Sequence, residues 1–256
     1  MNQSVLKALD ILNLFNDRTI ELSLGDISKK LDMPKPTAYR LLQSLEQKGY
    51  VKKEKRSEYD TRYRLGLKLL ELGNLVAEQL ELGPIALPHM KKLCERINEA
   101  VHLVIREKFE AIYIEKVEGH HALRLVTRVG KREPLHVGSG PKLLLANQSE
   151  AFIADYINHI DFSLMTERGV LNKRELMAEI LDIQTNGYAV SRGEQDPETI
   201  GVSYPIKDHR GRVVAALAVS GPAIRFFGDR GRQIQEDTAE TARFISKDLG
   251  YTCGCM

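Results

Sequence analysis

No stretch of this sequence approaches the ~20 consecutive apolar residues that a membrane-spanning helix needs; the longest run is VVAALAV at 213–219. Its three cysteines, Cys94, Cys253 and Cys255, cannot pair evenly, which excludes a disulfide framework. The N-terminus, MNQSVLKALDILNLF, is amphipathic, carries Asp10 and precedes no small-residue cleavage site, so it does not read as an export signal. There is no internal repeat and no low-complexity tract. These absences point to a soluble, cytoplasmic chain with no membrane partner.

Signatures of catalysis are missing as well. GSGPK at 138–142 is too short for a phosphate-binding loop, and Pro141 removes an N–H that such a loop needs. GVSYP at 201–205 lacks the last glycine of a nucleophile elbow. His120 and His121 are adjacent, so on a strand their rings point to opposite faces, and the pair reads as a polar turn rather than a metal site. His102 and His136 are candidate pocket groups or structural histidines. Cys253-Gly254-Cys255 reads as a terminal tail. Nothing assembles a nucleophile, a base and an orienting partner. The expectation is a protein that is not an enzyme, with no cofactor and no metal.

What is present is size and an uneven charge distribution. At 256 residues and 43% apolar content the chain is long enough for two domains with real cores. Residues 1–66 hold 13 Lys and Arg against 9 Asp and Glu, a balance of +4, whereas 67–256 hold 24 against 26. Within 29–64 the count is 11 basic to 5 acidic. A focused basic region on a near-neutral chain is the footprint of a polyanion contact.

The patterning of that region is helical and then strand-like. Ser4 is a candidate cap for a first helix whose stripe is Val5, Leu6, Leu9, Leu12 and Phe15. Ser23 and Asp26 form a capping-box pair before Leu24, Ile27 and Leu31. After the break at Asp32-Met33-Pro34 comes PKPTAYRLLQSLEQKGYV (34–51), with Pro36 suited to the first helical position and Gly49 to the stop. Ala38, Leu41, Leu42 and Leu45 fall at i, i+3, i+4 and i+7, the packed face. YVKKEKRSEYDTRYRL then alternates as a hairpin with a polar middle at 55–60. Three helices and a hairpin make a winged helix-turn-helix over 1–65.

Its outward positions are donor-rich. Arg40 offers a bidentate fork to guanine, Gln43 does the same for adenine, and the Thr37 methyl suits a thymine methyl. Lys35 and the helix start suit a phosphate, and Pro36 and Tyr39 are further candidates for the DNA contact. Lys52, Lys53, Lys55, Arg56, Arg62 and Arg64 of the hairpin can neutralise further phosphates. The expected partner is double-stranded operator DNA.

Residues 66–82, GLKLLELGNLVAEQLEL, read as a linker helix that also meets its counterpart in a dimer. Pro84 and Pro88 punctuate entry into a second domain, 83–256. There PIALPHMKKLCERI, 141–157, 173–186 and 229–248 read as helices. AVHLVIR, AIYIEKV, ALRLVTR, YAVSR, VSYPIK and RVVAALAVSG read as strands, an antiparallel-rich arrangement in an α+β chain. Polar and small residues cluster at the strand ends. Gly138, Ser139 and Gly140 precede a helix as an anion nest. Ser191, Glu194 and Ser220 supply side chains, and together they line a pocket for a small carboxylate-bearing effector.

LGDISKKLDMPKPTAYRLLQSLEQKGYVKKE, YRLGLKLLELG and GEQDPETIGVSYPIKDHRGRVVAALAVSGPAIRF, in that order and spacing, resemble the IclR family of bacterial transcription regulators over essentially the whole chain. The resemblance implies a winged helix-turn-helix, a linker helix and a GAF-like effector-binding domain. It also implies a homodimer or homotetramer that controls operons in response to small organic acids or aromatic metabolites, more often by repression. It places the effector pocket at 138–140, Ser191, Gly201, Ala218 and Ser220. Relatives that bind small acids have an acidic residue at the position of Ser191, and Cys and Ser at those of Gly201 and Ala218, so this pocket is less polar and roomier. The rival reading is a metabolite-binding adaptor whose helical domain contacts a protein instead of DNA.

Overall fold

The computed structural model describes residues 2–16, 19–57, 60–79, 82–121, 127–160 and 172–252. The chain divides into two compact units, Met1–Gln79 and Leu80–Met256.

In the first unit, α1 (Gln3–Asn13), α2 (Leu24–Lys30) and α3 (Lys35–Gln47) pack with β1 (Leu22–Ser23), β2 (Val51–Lys55) and β3 (Thr61–Leu65). The strands form an antiparallel sheet in the order β1-β3-β2. Ile11, Leu22, Ile27, Met33, Ala38, Leu42, Val51 and Tyr63 are buried together, with Leu41 and Leu45 partly buried against them. Each buried Leu, Ile or Val contributes about 1.5–3 kcal/mol of transfer free energy. Asn2, not Ser4, caps α1, its side chain accepting from the N–H groups of Ser4 and Val5. The Ser23–Asp26 capping box is complete at the start of α2. Helix α3 begins one residue before Pro36, with Pro34 as its cap. Either register satisfies the proline, because both place it where no intrahelical N–H bond is lost.

The end of α3 is tied to the backbone beyond the hairpin. The N–H groups of Gly49 and Tyr50 return to the carbonyls of Glu46 and Leu45, a Schellman closure with Gly49 at φ +75°. Gly66, just before α4 (Leu67–Gln79), donates its N–H to the Tyr50 carbonyl at 2.8 Å. A Cβ on Gly66 would lie 2.0 Å from the Gly49 carbonyl oxygen. Only glycine allows the two backbones to cross there, so the start of α4 is fastened to the end of α3.

The second unit is built on an antiparallel sheet. After α5 (Leu82–Ile97) come β4 (Ala100–Glu107), β5 (Glu110–Val117), β6 (Arg132–Pro134), α6 (Ser139–Ala146), α7 (Glu150–His159) and α8 (Lys173–Asn186). β7 (Ala189–Arg192), β8 (Thr199–Lys207), β9 (Val213–Pro222), a 3₁₀ turn and α9 (Gly228–Asp248) complete it. The strand order among the described residues is β6-β5-β4-β9-β8-β7. Alternation sorts the faces. Val101, Leu103, Val202, Ile206, Leu217 and Val219 meet Met90 and Leu93 of α5 and Ile234 and Ile245 of α9. Val104, Tyr113, Ala189, Ala216 and Ala218 meet Leu143, Leu144 and Leu145 of α6 on the other face. No helix among the described residues is long and apolar enough to cross a membrane.

Several local expectations change. Pro84 and Pro88 do not interrupt the chain but lie within α5. Pro84 is in the first turn, and Pro88 is held by burial of Ala86, Met90, Leu93, Cys94 and Ile97 along one face. The helix expected over 141–157 is two, α6 and α7, separated at Ser149, which caps α7 by accepting from the Phe152 N–H. The strand expected at ALRLVTR falls largely outside the described residues, and β6 pairs with β5 instead. That short strand has too little alternation to be seen in advance.

The crossing at Gly66 makes a signed prediction. Gly66→Ala should destabilise the first unit by about 1–3 kcal/mol through backbone overpacking. Gly73→Ala, in α4 with open space around its Cβ position, should instead stabilise it by up to ~1 kcal/mol. Hydrogen exchange of α3 and α4 amides in the full chain measures both; equal effects of the same sign would overturn the assignment.

Candidate DNA-reading face and serine-lined pocket

The outward face of α3 is exposed over Lys35, Pro36, Tyr39, Arg40, Gln43, Ser44 and Gln47, with Thr37 half-buried. Its first turn holds no acidic residue, and Pro34 offers no side-chain cap. The positive end of the helix dipole is therefore reinforced by Lys35 rather than cancelled. Gln43 Nε2 donates to the Tyr39 hydroxyl at 3.2 Å, which holds these two side chains as a pair one turn apart.

The hairpin divides its basic residues between two faces. Val51, Lys53 and Lys55 share one face of β2 by alternation. The Lys53 ammonium lies 5.9 Å over the Tyr39 ring, beside α3. The arginines are engaged by carboxylates: Arg56 and Arg64 with Glu21 at 2.7 and 2.8 Å, and Arg62 with Asp60 at 2.7 Å and Asp26 at 3.6 Å. The hydrogen bond from Arg64 holds the Glu21 carboxyl below its usual range. Sequence spacing counts all these cations alike. Strand register separates them.

In the second unit, α6 is the element that gathers the polar residues. Every residue of α6 is buried, and its N-terminus points at the serine-bearing end of the sheet. Register places Ser191, Gly201 and Ser220 in one row across β7, β8 and β9, and Ala189, Ser203, Ala218 and His102 in the next. A Cβ on Gly201 would meet the hydroxyls of Ser191 at 2.8 Å and Ser139 at 2.9 Å, so both serines converge on the space left by a missing side chain. Gly140 packs over Val104 and Ala218.

Three residues not singled out for the pocket in the sequence complete the ring. Gln195 Nε2 donates to the Tyr113 hydroxyl at 3.1 Å and lies against Gly138. Burial pushes the Tyr113 phenol up to about 12, so it stays protonated. Lys142, 1% exposed, places Nζ 2.6 Å from both Glu179 and Glu194. Glu194 uses its other oxygen to accept the Gly138 N–H at 2.8 Å. The anion nest expected at 138–140 is thus partly filled by the protein's own carboxylate, and the N–H groups of Ser139 and Gly140 remain at the helix start, before Pro141. A buried lysine announces nothing in a sequence when its partners stand 37 and 52 residues away.

His102 sits in the ring, its Nε2 3.2 Å from the Ser220 hydroxyl and its ring edge-on to Tyr113 at 5.6 Å. Burial, helped by Lys116 and Lys131, lowers its pKa to about 4, so the imidazole is neutral near pH 7. The His102 Nδ1 and Ser203 Oγ atoms are buried and have no hydrogen-bond partner among the described residues. Such atoms cost about 1–3 kcal/mol each when left unpaired. The site gathers neutral hydroxyls, a neutral imidazole and two helix N–H groups.

The remaining candidates lie elsewhere. His136 Nδ1 is 2.7 Å from the Tyr156 hydroxyl, a structural contact. His121 Nε2 is 3.1 Å from Asn98 Nδ2, and the His120 N–H donates to Asn98 Oδ1. No group of three or more His, Cys, Asp or Glu among the described residues can hold a metal. Cys253 and Cys255 lie outside the described residues.

Comparison with known proteins gives matches over both units. Residues 4–55 match the IclR helix-turn-helix domain, and 74–247 match the bacterial transcriptional regulator IclR C-terminal domain. The chain is 34% identical over 251 residues to the HTH-type transcriptional regulator KipR of Bacillus subtilis, covering 98% of each. It is similar to the crystal structure of Thermotoga maritima IclR, with 32% identity, a TM-score of 0.76, and 97% and 99% of the two chains covered. An IclR homologue from Microbacterium hydrocarbonoxydans, complexed with 4-hydroxybenzoate, matches at 25% identity and TM-score 0.81 over 96% and 99%.

The buried imidazole sets a pH dependence. Between its ordinary value of 6.5 and about 4, the unfolded chain takes up a proton that the folded chain refuses. Stability therefore falls as pH drops through that window, and His102 contributes no slope above it. From pH 7 to pH 5 the loss should be about 2 kcal/mol. Urea unfolding at the two pH values should show that loss in the natural chain and a flatter response in His102→Gln.

Proposed function

The chain belongs to the IclR family of bacterial transcriptional regulators, and from that premise we propose that it binds operator DNA through α3 and the β2–β3 hairpin under control of a small effector held at the serine-lined pocket. The observation that carries the DNA reading is the division of α3 into two faces. Ala38 and Leu42 are buried in the domain core, whereas Arg40 and Gln43 project outward. Two copies would place α3 in successive major grooves, ~34 Å apart on a near-palindromic site. A homodimer or homotetramer would suit such a site, and repression is the economical direction, because a covered promoter is blocked without any further contact.

For the effector, support comes from the unpaired buried atoms of His102 and Ser203 beside the start of α6, and from the aromatic acid held by the Microbacterium relative. A small organic acid, aliphatic or aromatic, is consistent with both, its carboxylate accepting from the N–H groups of Ser139 and Gly140 beside the Ser139 and Ser191 hydroxyls. The 66–82 segment is the proposed transmission element. Because Gly66 fastens α4 to α3, any reorientation of α4 turns the reading helix with it. The effector can shift operator affinity by no more than its own differential affinity for the two arrangements.

Selection from a random duplex library at fixed salt tests the DNA reading. Arg40→Ala should cost ~1–3 kcal/mol and relax preference at defined base positions. Lys55→Ala should weaken all sequences alike and lower the salt slope by about 1. Arg62→Ala, whose cation is already engaged by Asp60 and Asp26, should cost less than Lys55→Ala. An Arg40→Ala chain with unchanged affinity and preference would sink the docking model.

A thermal-shift panel of aliphatic, aromatic and sugar acids tests the effector reading. A ligand at ~100 times its dissociation constant should add about 2.7 kcal/mol, and Ser139→Ala with Ser191→Ala should diminish that gain. No stabilisation by any member of the panel counts against an acid effector.

A further inference from the structure

On the sheet face opposite the serine-lined pocket, β8 and α9 leave a groove of about 680 Å³, within the ~300–1,000 Å³ range of small-molecule sites. Its walls are aromatic. Tyr204 is stacked on Tyr188 with ring centroids 5.4 Å apart, and Phe244, 48% exposed, and Tyr251 also line the groove. Ala239, Ala242 and Pro205 line it with little bulk.

The charged residues that line the groove are cations, and Glu236 acts on Tyr204 from outside that lining. Arg243 and Lys247 stand one turn apart on α9, and Lys207 reaches in from the end of β8, its ammonium 5.4 Å over the Tyr251 ring. Among the described residues no aspartate or glutamate lines the groove, and neither Arg243 nor Lys247 is paired with a carboxylate. Burial pushes the Tyr204 phenol up to about 12, with Tyr188 adding to the shift and Arg243 opposing it, so that hydroxyl remains a donor. Flat π surfaces favour a planar ring, and clustered cations without partners favour an anion. An aliphatic acid leaves the aromatic walls uncovered, and a neutral ring leaves the cations unneutralised.

We propose that this groove is a second ligand site, separate from the serine-lined pocket, and that it takes a planar aromatic acid with its ring against Tyr204 and Phe244 and its acid group on Arg243 and Lys247. The site does not depend on the DNA or effector assignments, since it lies on the other face of the sheet and uses none of their residues. One molecule carrying one acid group fits the groove; an acidic face of a second copy of this chain is the competing occupant.

Fluorescence titration of the full chain with 2-naphthoate and 2-naphthamide tests this. Saturable binding of the acid is expected, with the amide about tenfold weaker or worse, a difference of ~1.4 kcal/mol. Arg243→Gln with Lys247→Gln, both exposed, should lower acid affinity by at least a similar factor at an unchanged melting temperature. Phe244→Ala should weaken acid and amide together. The proposal fails if the acid does not bind, if acid and amide bind equally, or if the double variant binds the acid as the natural chain does. It also fails if the double variant changes the sedimentation of the protein while leaving naphthoate binding intact, which would make the groove an interface between copies.

Discussion

Helix α6 carries a lysine and has every residue buried, and much of the second unit is arranged to accommodate it. An ammonium cannot be taken out of water without compensation. Lys142 is met by Glu179 from α8 and by Glu194 from the β7–β8 connection. Glu194 in turn accepts the Gly138 N–H at the start of α6. One charge therefore fixes three elements at the edge of the serine-lined pocket. It explains why Glu194, a surface-type residue in a polar connection, is nearly buried. It also means that an anion at the α6 start shares its surroundings with a carboxylate the protein already supplies.

The sheet beneath α6 is used on both faces for different purposes. Its apolar rows are sealed by α5 and α9 on one side and by α6 on the other. The polar residues are concentrated at one end of the α6 face, where Ser191, Gly201, Ser203, Ser220 and His102 are adjacent across four strands. At Gly201 the missing side chain lets the Ser139 and Ser191 hydroxyls converge, and the imidazole and phenol there are neutral. The groove on the opposite face differs in chemistry, with aromatic walls and the cations Lys207, Arg243 and Lys247.

In the first unit the equivalent constraint is a backbone contact. Gly66 lets the start of α4 cross the Gly49 carbonyl more closely than any side chain permits, so the end of α3 and the start of α4 are fastened to each other. The wing adds a second distinction. Lys53 stands beside α3, whereas Arg56, Arg62 and Arg64 are held by Glu21, Asp26, Asp60 and Glu54. Positive charge counted along the sequence overstates what this surface can offer a phosphate.

The family and the α+β class were legible in the sequence and are borne out, because they rest on local signals. Helical spacing of Ala38, Leu42 and their neighbours, the Ser23–Asp26 box, Gly49 as a stop and the alternation in β8 and β9 all act within a few residues. The cap at Asn2, the continuation of α5 through Pro88 and the split between α6 and α7 were missed, since each is decided by burial or by a competing hydrogen bond that local pattern does not weigh. The pocket shows the limit most plainly. Ser139, Ser191, Gly201 and Ser220 could be named as candidates from strand ends and from resemblance, but Tyr113, Gln195 and Lys142 could not. They enter through cross-strand register and contacts spanning tens of residues. Sequence alone determined most of the helices and strands and which face of α3 packs, because those depend on periodicity. Tertiary structure alone decided which cations are free, which hydroxyls converge and which histidine is neutral, because those depend on what a fold brings close and shuts away from water.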